Sequence, residues 1–163
     1  MQESERAKQS MLFHEEIKSN KYALDFVTSP WAIGEVAHAV LNYSISLRMI
    51  KEGRSLDKFH RWKPQYLPTQ EERKELQASL DSFLKHLNRL KITVKPFEVE
   101  ARRIQDISLR YDIDASDALH IAMALDGCHY FVTNDRELCE KGVDEISVLL
   151  PANLTTKPAL RVK

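Results

Sequence analysis

The stretch Tyr111–Leu138, YDIDASDALHIAMALDGCHYFVTNDREL, decides the fold. Its pattern predicts a helix over 116–126, a break that contains a glycine, and a strand over 129–133. Asp117 stands in the first turn of this helix, and Asp135 follows the strand after one intervening residue. If the helix and the strand pack side by side, both carboxylates arrive at the same edge of a sheet. This joint placement is the strongest functional signal in the sequence.

Helical and strand-like patterns also alternate along the rest of the chain. Helices are predicted over 4–20, 30–50, 69–90, 97–111 and 136–141, and strands over 22–28, 92–94 and 146–150. Segment 53–68 has the Gly and Pro content of an irregular loop. The alternation favours a single α/β layered domain over 1–151 with a mostly parallel sheet. The basic tail, 152–163, is expected to be extended or disordered.

Composition excludes several classes of protein. Lys plus Arg and Asp plus Glu number 24 each, so a nucleic-acid surface requires local segregation of charge. Two cysteines do not indicate a secreted disulfide framework, and we interpret them as reduced structural thiols. No apolar run approaches the roughly 20 residues that span a bilayer, and the charged N-terminus is not a secretory signal. We therefore expect a cytoplasmic protein.

Three carboxylates stand out by position: Glu35, one turn into the helix after the first predicted strand, together with Asp117 and Asp135. Converging carboxylates repel one another, so such a set indicates a hard divalent cation, Mg²⁺ or Mn²⁺. Each acid alone has a structural explanation. The helix dipole and helix capping both favour an Asp at position 117, Asp135 can be a turn residue or the cap of the helix that follows, and Glu35 can be a solvated surface residue.

The run DASDALHIAMALDGCHYFVTNDREL, followed by ISVLLP, resembles the C-terminal half of a PIN domain, and SPWAIGEVAHAV is similar to the first acidic helix of that family. The resemblance implies a three-layer α/β/α fold and a metal-dependent ribonuclease, many members being VapC-type toxins of toxin–antitoxin pairs. It implies Glu35, Asp117 and Asp135 as catalytic metal ligands. Thr133, Asn134 and Asp114 are the implied supporting residues. An antitoxin protein and a homodimer are the implied partners.

The chain departs from the family at its beginning. PIN domains normally open with an apolar strand that ends in a metal-binding Asp, whereas this sequence opens with what resembles the next helix. The fold is therefore expected without its first strand. This leaves two hypotheses, a PIN-type nuclease that hydrolyses RNA phosphodiester bonds and a catalytically degraded PIN-like module that binds RNA or a protein.

Basic and aromatic residues alternate in the loop after the second helix. This composition suits single-stranded RNA through phosphate attraction and base stacking. A loop pinned to the core by its aromatic residues explains the same pattern. The possible RNA contacts are Arg54, Lys58, Arg61 and Trp62.

Overall fold

The computed structural model describes residues 2–59, 65–157 and 160–161. Its helices are α1 (Gln2–Lys18), α2 (Pro30–Lys51), α3 (Gln70–Arg89), α4 (Ala101–Tyr111), α5 (Ala115–Leu125), α6 (Arg136–Lys141) and α7 (Pro151–Thr155), with a 3₁₀ turn at Leu56–Lys58. Its strands are β1 (Val27–Thr28), β2 (Thr93–Val94), β3 (Tyr130–Val132) and β4 (Ser147–Leu149). The chain divides into two compact units, Met1–Phe26 with Pro96–Lys163, and Val27–Lys95.

The first unit contains the parallel pair β3–β4, in which Phe131 lies opposite Val148. One core cluster lies under α5, where four residues are buried: Ala118, Ile121, Ala122 and Ala124. A second cluster is centred on Tyr22, Leu149 and Leu154. The small side chains along α5 leave room for close packing, which is why an alanine-rich helix occupies the centre of this core.

The second unit contains the parallel pair β1–β2, in which Val27 lies opposite Thr93. Ser29 caps α2 by accepting a hydrogen bond from the Ala32 backbone N–H at 3.0 Å, and Pro30 occupies the first turn, where its missing N–H costs nothing. Thr69 and Glu72 have the three-residue spacing that predicts a capping box, and they form one at the start of α3.

The predicted α/β class with parallel strands is confirmed, since β1–β2 and β3–β4 are both parallel. They are two separate two-stranded sheets among the described residues, instead of one larger sheet. Among the described residues no helix is long and apolar enough to cross a membrane.

Several predicted boundaries are wrong. The strand predicted over 22–28 is paired as a strand only at Val27–Thr28, and Tyr22 forms an isolated bridge with Arg161. The helix predicted from Phe97 begins at Ala101, and Pro151–Thr155 is helical although the tail was expected to lack regular structure. On α2, the buried residues are Ile45 and Met49. The apolar spacing predicts a buried face further toward the start of the helix, but its residues are only half-buried: Ile33, Val36, Ala37, Val40 and Leu41.

Candidate functional site

Two aspartates share the start of α5. Asp114 is the N-cap, and its carboxylate accepts a hydrogen bond from the Asp117 backbone N–H at 2.9 Å. Asp114 therefore takes the capping role that the sequence also allowed for Asp117. Asp117 is half-buried in the first turn, where the helix dipole favours a negative charge. With the cap supplied by its neighbour, the Asp117 carboxylate is not needed to begin the helix.

A polar turn follows β3 and carries the second acidic residue. The Asp135 backbone N–H donates to Thr133 Oγ1 at 3.1 Å, which fixes the direction in which the chain leaves the strand. One carboxylate oxygen of Asp135 accepts from the Leu138 N–H at 3.0 Å and caps α6. The side chain of Asp135 is exposed, so its carboxylate faces solvent while it serves as a cap. Asp135 is therefore the cap of α6, as its position in the sequence allowed. Only one of its two carboxylate oxygens takes part in the cap.

The packing of α5 against β3 sets where these two acids lie. The short connection 126–129, with Gly127 at a φ of 143° that favours glycine, reverses the chain between the helix and the strand. The rings of His120 and Phe131 stack at a centroid distance of 6.2 Å, so the middle of α5 lies on the middle of β3. An antiparallel helix and strand in this register bring the start of α5 and the end of β3 to the same side. The Asp135 turn follows the carboxyl end of β3, and this packing favours a position for Asp117 on the same side, so the joint placement of the two acids stays a prediction.

Ser10 of α1 also reaches this turn, and sequence reasoning missed it. Asn134 Nδ2 donates to Ser10 Oγ at 3.0 Å across 124 positions of the chain. Nothing local in the sequence marks Ser10, because a serine inside a helix is ordinary. The contact is visible only once α1 is placed beside the end of β3.

Glu35 belongs to the second unit, where it lies on the exposed surface of α2. Trp31 Nε1 donates to Glu35 Oε1 at 3.2 Å, one helical turn away. The predicted role of Glu35 beside Asp117 and Asp135 stays a prediction.

Of the four predicted RNA contacts, the structure describes the Arg54 side chain. Arg54 Nε lies 3.8 Å from Glu52, and its guanidinium is 6.0 Å from the centroid of Tyr66. These contacts orient Arg54 beside the end of α2 and neutralise part of its charge. The side chain of Lys58, together with Arg61 and Trp62, lies outside the described residues.

The described residues hold no group of three or more His, Cys, Asp or Glu side chains arranged to bind a metal ion. Cys139 sits on α6 next to the acidic turn. Burial raises the pKa of Cys139, and the carboxylates of Asp135 and Glu140 raise it further. The thiol therefore stays protonated at neutral pH, which makes it a poor nucleophile and a poor metal ligand.

Comparison with known proteins supplies the family. A family model described as PIN domain matches residues 9–143, which is most of the chain. The chain belongs to the PIN domain family. PIN domains are nuclease-type folds that typically act on nucleic acids and generally depend on divalent metal ions. In this PIN domain the match includes α5, β3 and α6, while β4 and α7 follow it. A search of curated proteins and a search of solved structures each found no match.

Proposed function

We propose that this protein is a PIN-type endoribonuclease that hydrolyses RNA phosphodiester bonds in the presence of Mg²⁺ or Mn²⁺. Glu35, Asp117 and Asp135 are the proposed catalytic acids. The observations that support this most are the family match over residues 9–143 and the stacking of His120 of α5 on Phe131 of β3, which favours a position for Asp117 near Asp135 at the carboxyl end of β3. Ligand sites in open parallel sheets form at this edge.

The fit to a metal ion is partial. Carboxylate oxygens are the hard donors that Mg²⁺ and Mn²⁺ prefer, and Asp135 is exposed enough to bind one. No three-residue metal cluster is present in the described parts of the chain. Asp135 also shares its carboxylate with the Leu138 N–H. We therefore assign no step of the reaction to the cation, and metal dependence is left to the experiment.

The neighbouring polar residues have positioning roles in this proposal. The Thr133 hydroxyl holds the Asp135 backbone, and Asn134 is anchored to Ser10. Asp114 holds the first turn of α5, which carries Asp117. These hydrogen bonds hold the backbone on either side of both acids, and groups fixed in place before the reaction are the condition for effective electrostatic catalysis. Arg54, Lys58, Arg61 and Trp62 remain the proposed RNA contacts.

The experiment is cleavage of an end-labelled single-stranded RNA by the full chain with Mn²⁺, Mg²⁺ or EDTA. Asp117→Asn is expected to lower the rate by about 100-fold or more, the usual cost of losing a catalytic carboxylate. Asp126→Asn is the matched control, because Asp126 is an exposed acid at the opposite end of the same helix. Cleavage that survives Asp117→Asn or ignores EDTA contradicts the proposal.

The second candidate is a PIN-like module that binds RNA or a protein without cutting, and the absence of a three-residue metal cluster among the described residues favours it. The same assay separates the two candidates. RNA that is retained in a gel shift by the wild-type chain, but is not cleaved with either metal, supports the binding module.

We further propose a VapC-type setting, in which the protein pairs with an antitoxin and forms a homodimer. The support within the chain is an apolar stripe on α2. Tyr43, Leu47 and Ile50 are 66%, 41% and 53% exposed and lie at i, i+4 and i+7, on one face of the helix. Exposed apolar side chains that are contiguous mark interaction surfaces more often than isolated ones do. Co-purification with the product of a neighbouring reading frame tests the antitoxin.

A further inference from the structure

The described residues of the C-terminal segment, 151–157 and 160–161, pack into the first unit, and two of its leucines join the core. Leu154 of α7 is fully buried with Tyr22 and Leu149, and Leu160 packs against the same cluster. The Ala23 backbone N–H donates to the Leu160 carbonyl at 2.9 Å. Arg161 is the antiparallel bridge partner of Tyr22. The segment therefore closes over the Tyr22 side of α1.

Arg161 joins this segment to α1 through a polar cluster. Arg161 Nη2 lies 2.7 Å from Glu16 Oε1, and its guanidinium is 5.9 Å from the centroid of the Tyr22 ring. The Tyr22 hydroxyl donates to the other Glu16 oxygen at 2.5 Å. Both carboxylate oxygens of Glu16 are therefore occupied. Its side chain is only 16% exposed, so this ion pair is better protected from water than an ordinary surface pair.

Helix α1 connects this cluster to the candidate site. Ser10 and Glu16 are six residues apart on α1, about 9 Å along the axis. Ser10 accepts the hydrogen bond from Asn134, the residue between Thr133 and Asp135. The tail also touches β3 itself, since Lys157 Nζ lies 5.7 Å from the centroid of Tyr130. The C-terminal segment is therefore linked at two points to the elements that carry the acidic turn.

We propose that the described residues of the tail, 151–157 and 160–161, form a clasp that holds α1 against the end of β3, and that Arg161 and Ser10 are positioning residues for the Thr133–Asp135 turn. Arg161 fixes α1 through Glu16, and α1 fixes Asn134 through Ser10. The residues of the clasp lie beyond the family match, which ends at residue 143. The geometry of the acidic turn thus depends on a segment outside the matched region. The catalytic meaning of the turn rests on the proposed nuclease function.

The experiment follows the turn by NMR on the full chain, without metal or RNA. The reporters are the Asn134 side-chain NH₂ resonances and the exchange rate of the Leu138 amide, which bonds to Asp135. In Arg161→Ala we expect the Asn134 signals to move toward solvent values. Leu138 should exchange about fivefold faster, the size of effect that loss of one partly exposed ion pair has on a local opening equilibrium. Arg161→Lys should restore most of the wild-type Asn134 signals and of the wild-type Leu138 exchange rate.

Arg110→Ala is the matched control. Arg110 pairs with Glu145 at 2.8 Å and lies 6.0 Å from the Tyr111 centroid, so it makes the same two kinds of contact in the same unit. Both variants are compared at the Ile121 amide, which reports opening of the core. If Arg161→Ala changes the reporters at the turn no more than Arg110→Ala does, the clasp does not position the turn.

Ser10→Ala tests the second link, and it keeps the inference falsifiable if Arg161→Ala fails to fold. It should shift the Asn134 signals while leaving the exchange of the Ala23 amide, which bonds to Leu160, unchanged. Asn134 signals that do not move in Ser10→Ala overturn the inference. Because no reporter needs catalysis, failure here leaves the nuclease proposal standing, and an absence of cleavage leaves the clasp standing.

Discussion

Asp135 caps α6 in the structure and is also a proposed catalytic acid, and substitutions at this one residue can separate the two roles. Its carboxylate caps α6, and Asn caps a helix about as well as Asp does. We expect Asp135→Ala to cost about 1 kcal/mol of unfolding free energy, because the Leu138 N–H loses its partner. We expect Asp135→Asn to cost under about 0.5 kcal/mol and still to abolish RNA cleavage. Urea unfolding and the cleavage assay measure the two effects.

Asp114 supplies the control for that prediction. It caps α5 in the same geometry, yet it is only a supporting residue of the proposed site. Asp114→Asn should leave both stability and cleavage near wild type. If Asp135→Asn also retains cleavage, the only role of Asp135 is to cap α6.

At the scale of elements, α2 offers the clearest prediction. Its exposed stripe of Tyr43, Leu47 and Ile50 is the surface we assign to a second copy of the chain. Leu47→Asp places a charge in the middle of this stripe, where a dimer would have to bury it at a cost of several kcal/mol. Light scattering after size exclusion should therefore show a dimer for the wild type and a monomer for the variant.

Leu109→Asp is the control for the stripe. Leu109 is 75% exposed on α4, in the first unit, and has no comparable apolar stripe around it. It should leave the oligomeric state unchanged. A wild-type chain that is monomeric at high concentration, or a dimer that tolerates Leu47→Asp, contradicts the assignment of α2 as the dimer surface.

How far the sequence predicts an element depends on how local its determinants are. The starts of α2 and α3 were predictable because Ser29 and Thr69 act on backbone groups within three residues. The lengths of the strands were not predictable, because the pairing of a strand depends on residues that are distant in the sequence. The alternation around Tyr22 imitates a strand, yet it arises because Tyr22, Leu24 and Phe26 all pack in the second core cluster. Every second residue of a segment can be buried even where the segment is not paired with a neighbouring strand.

The same distinction holds for the candidate site in the whole molecule. Asp117 and Asp135 could be proposed from the sequence because the helix that carries Asp117 and the strand that precedes Asp135 are adjacent in the chain. The sequence could not decide that Asp114 is the residue that caps α5, because helix boundaries read from a pattern are uncertain by one or two residues. The contact from Ser10 to Asn134 joins the two ends of the matched region. No periodicity or spacing in a single sequence encodes such a pair, so it required the folded chain.

The closure of the first unit by its own tail also predicts how stability responds to pH. Burial alone would raise the pKa of Glu16, but hydrogen bonds from Tyr22 and Arg161 outweigh it and hold the pKa below the ordinary value of 4.5. A lowered folded-state pKa means that the charged form is stabilised by folding. Its contribution is therefore complete above pH 4.5 and is lost as the pH falls through the lower, folded-state value.

Glu16→Gln isolates this contribution. At pH 7 we expect the variant to be less stable than the wild type, because Arg161 loses its counter-charge. The difference in unfolding free energy between the two, measured by urea unfolding, should narrow as the pH falls below 4.5, since acid removes the same charge from the wild type. Glu145→Gln is the control, because Glu145 pairs with Arg110 but is more exposed than Glu16. It should lower the unfolding free energy at pH 7 by less than Glu16→Gln does. If the difference in unfolding free energy between the wild type and Glu16→Gln stays constant or widens on acidification, the charge of Glu16 does not hold the tail.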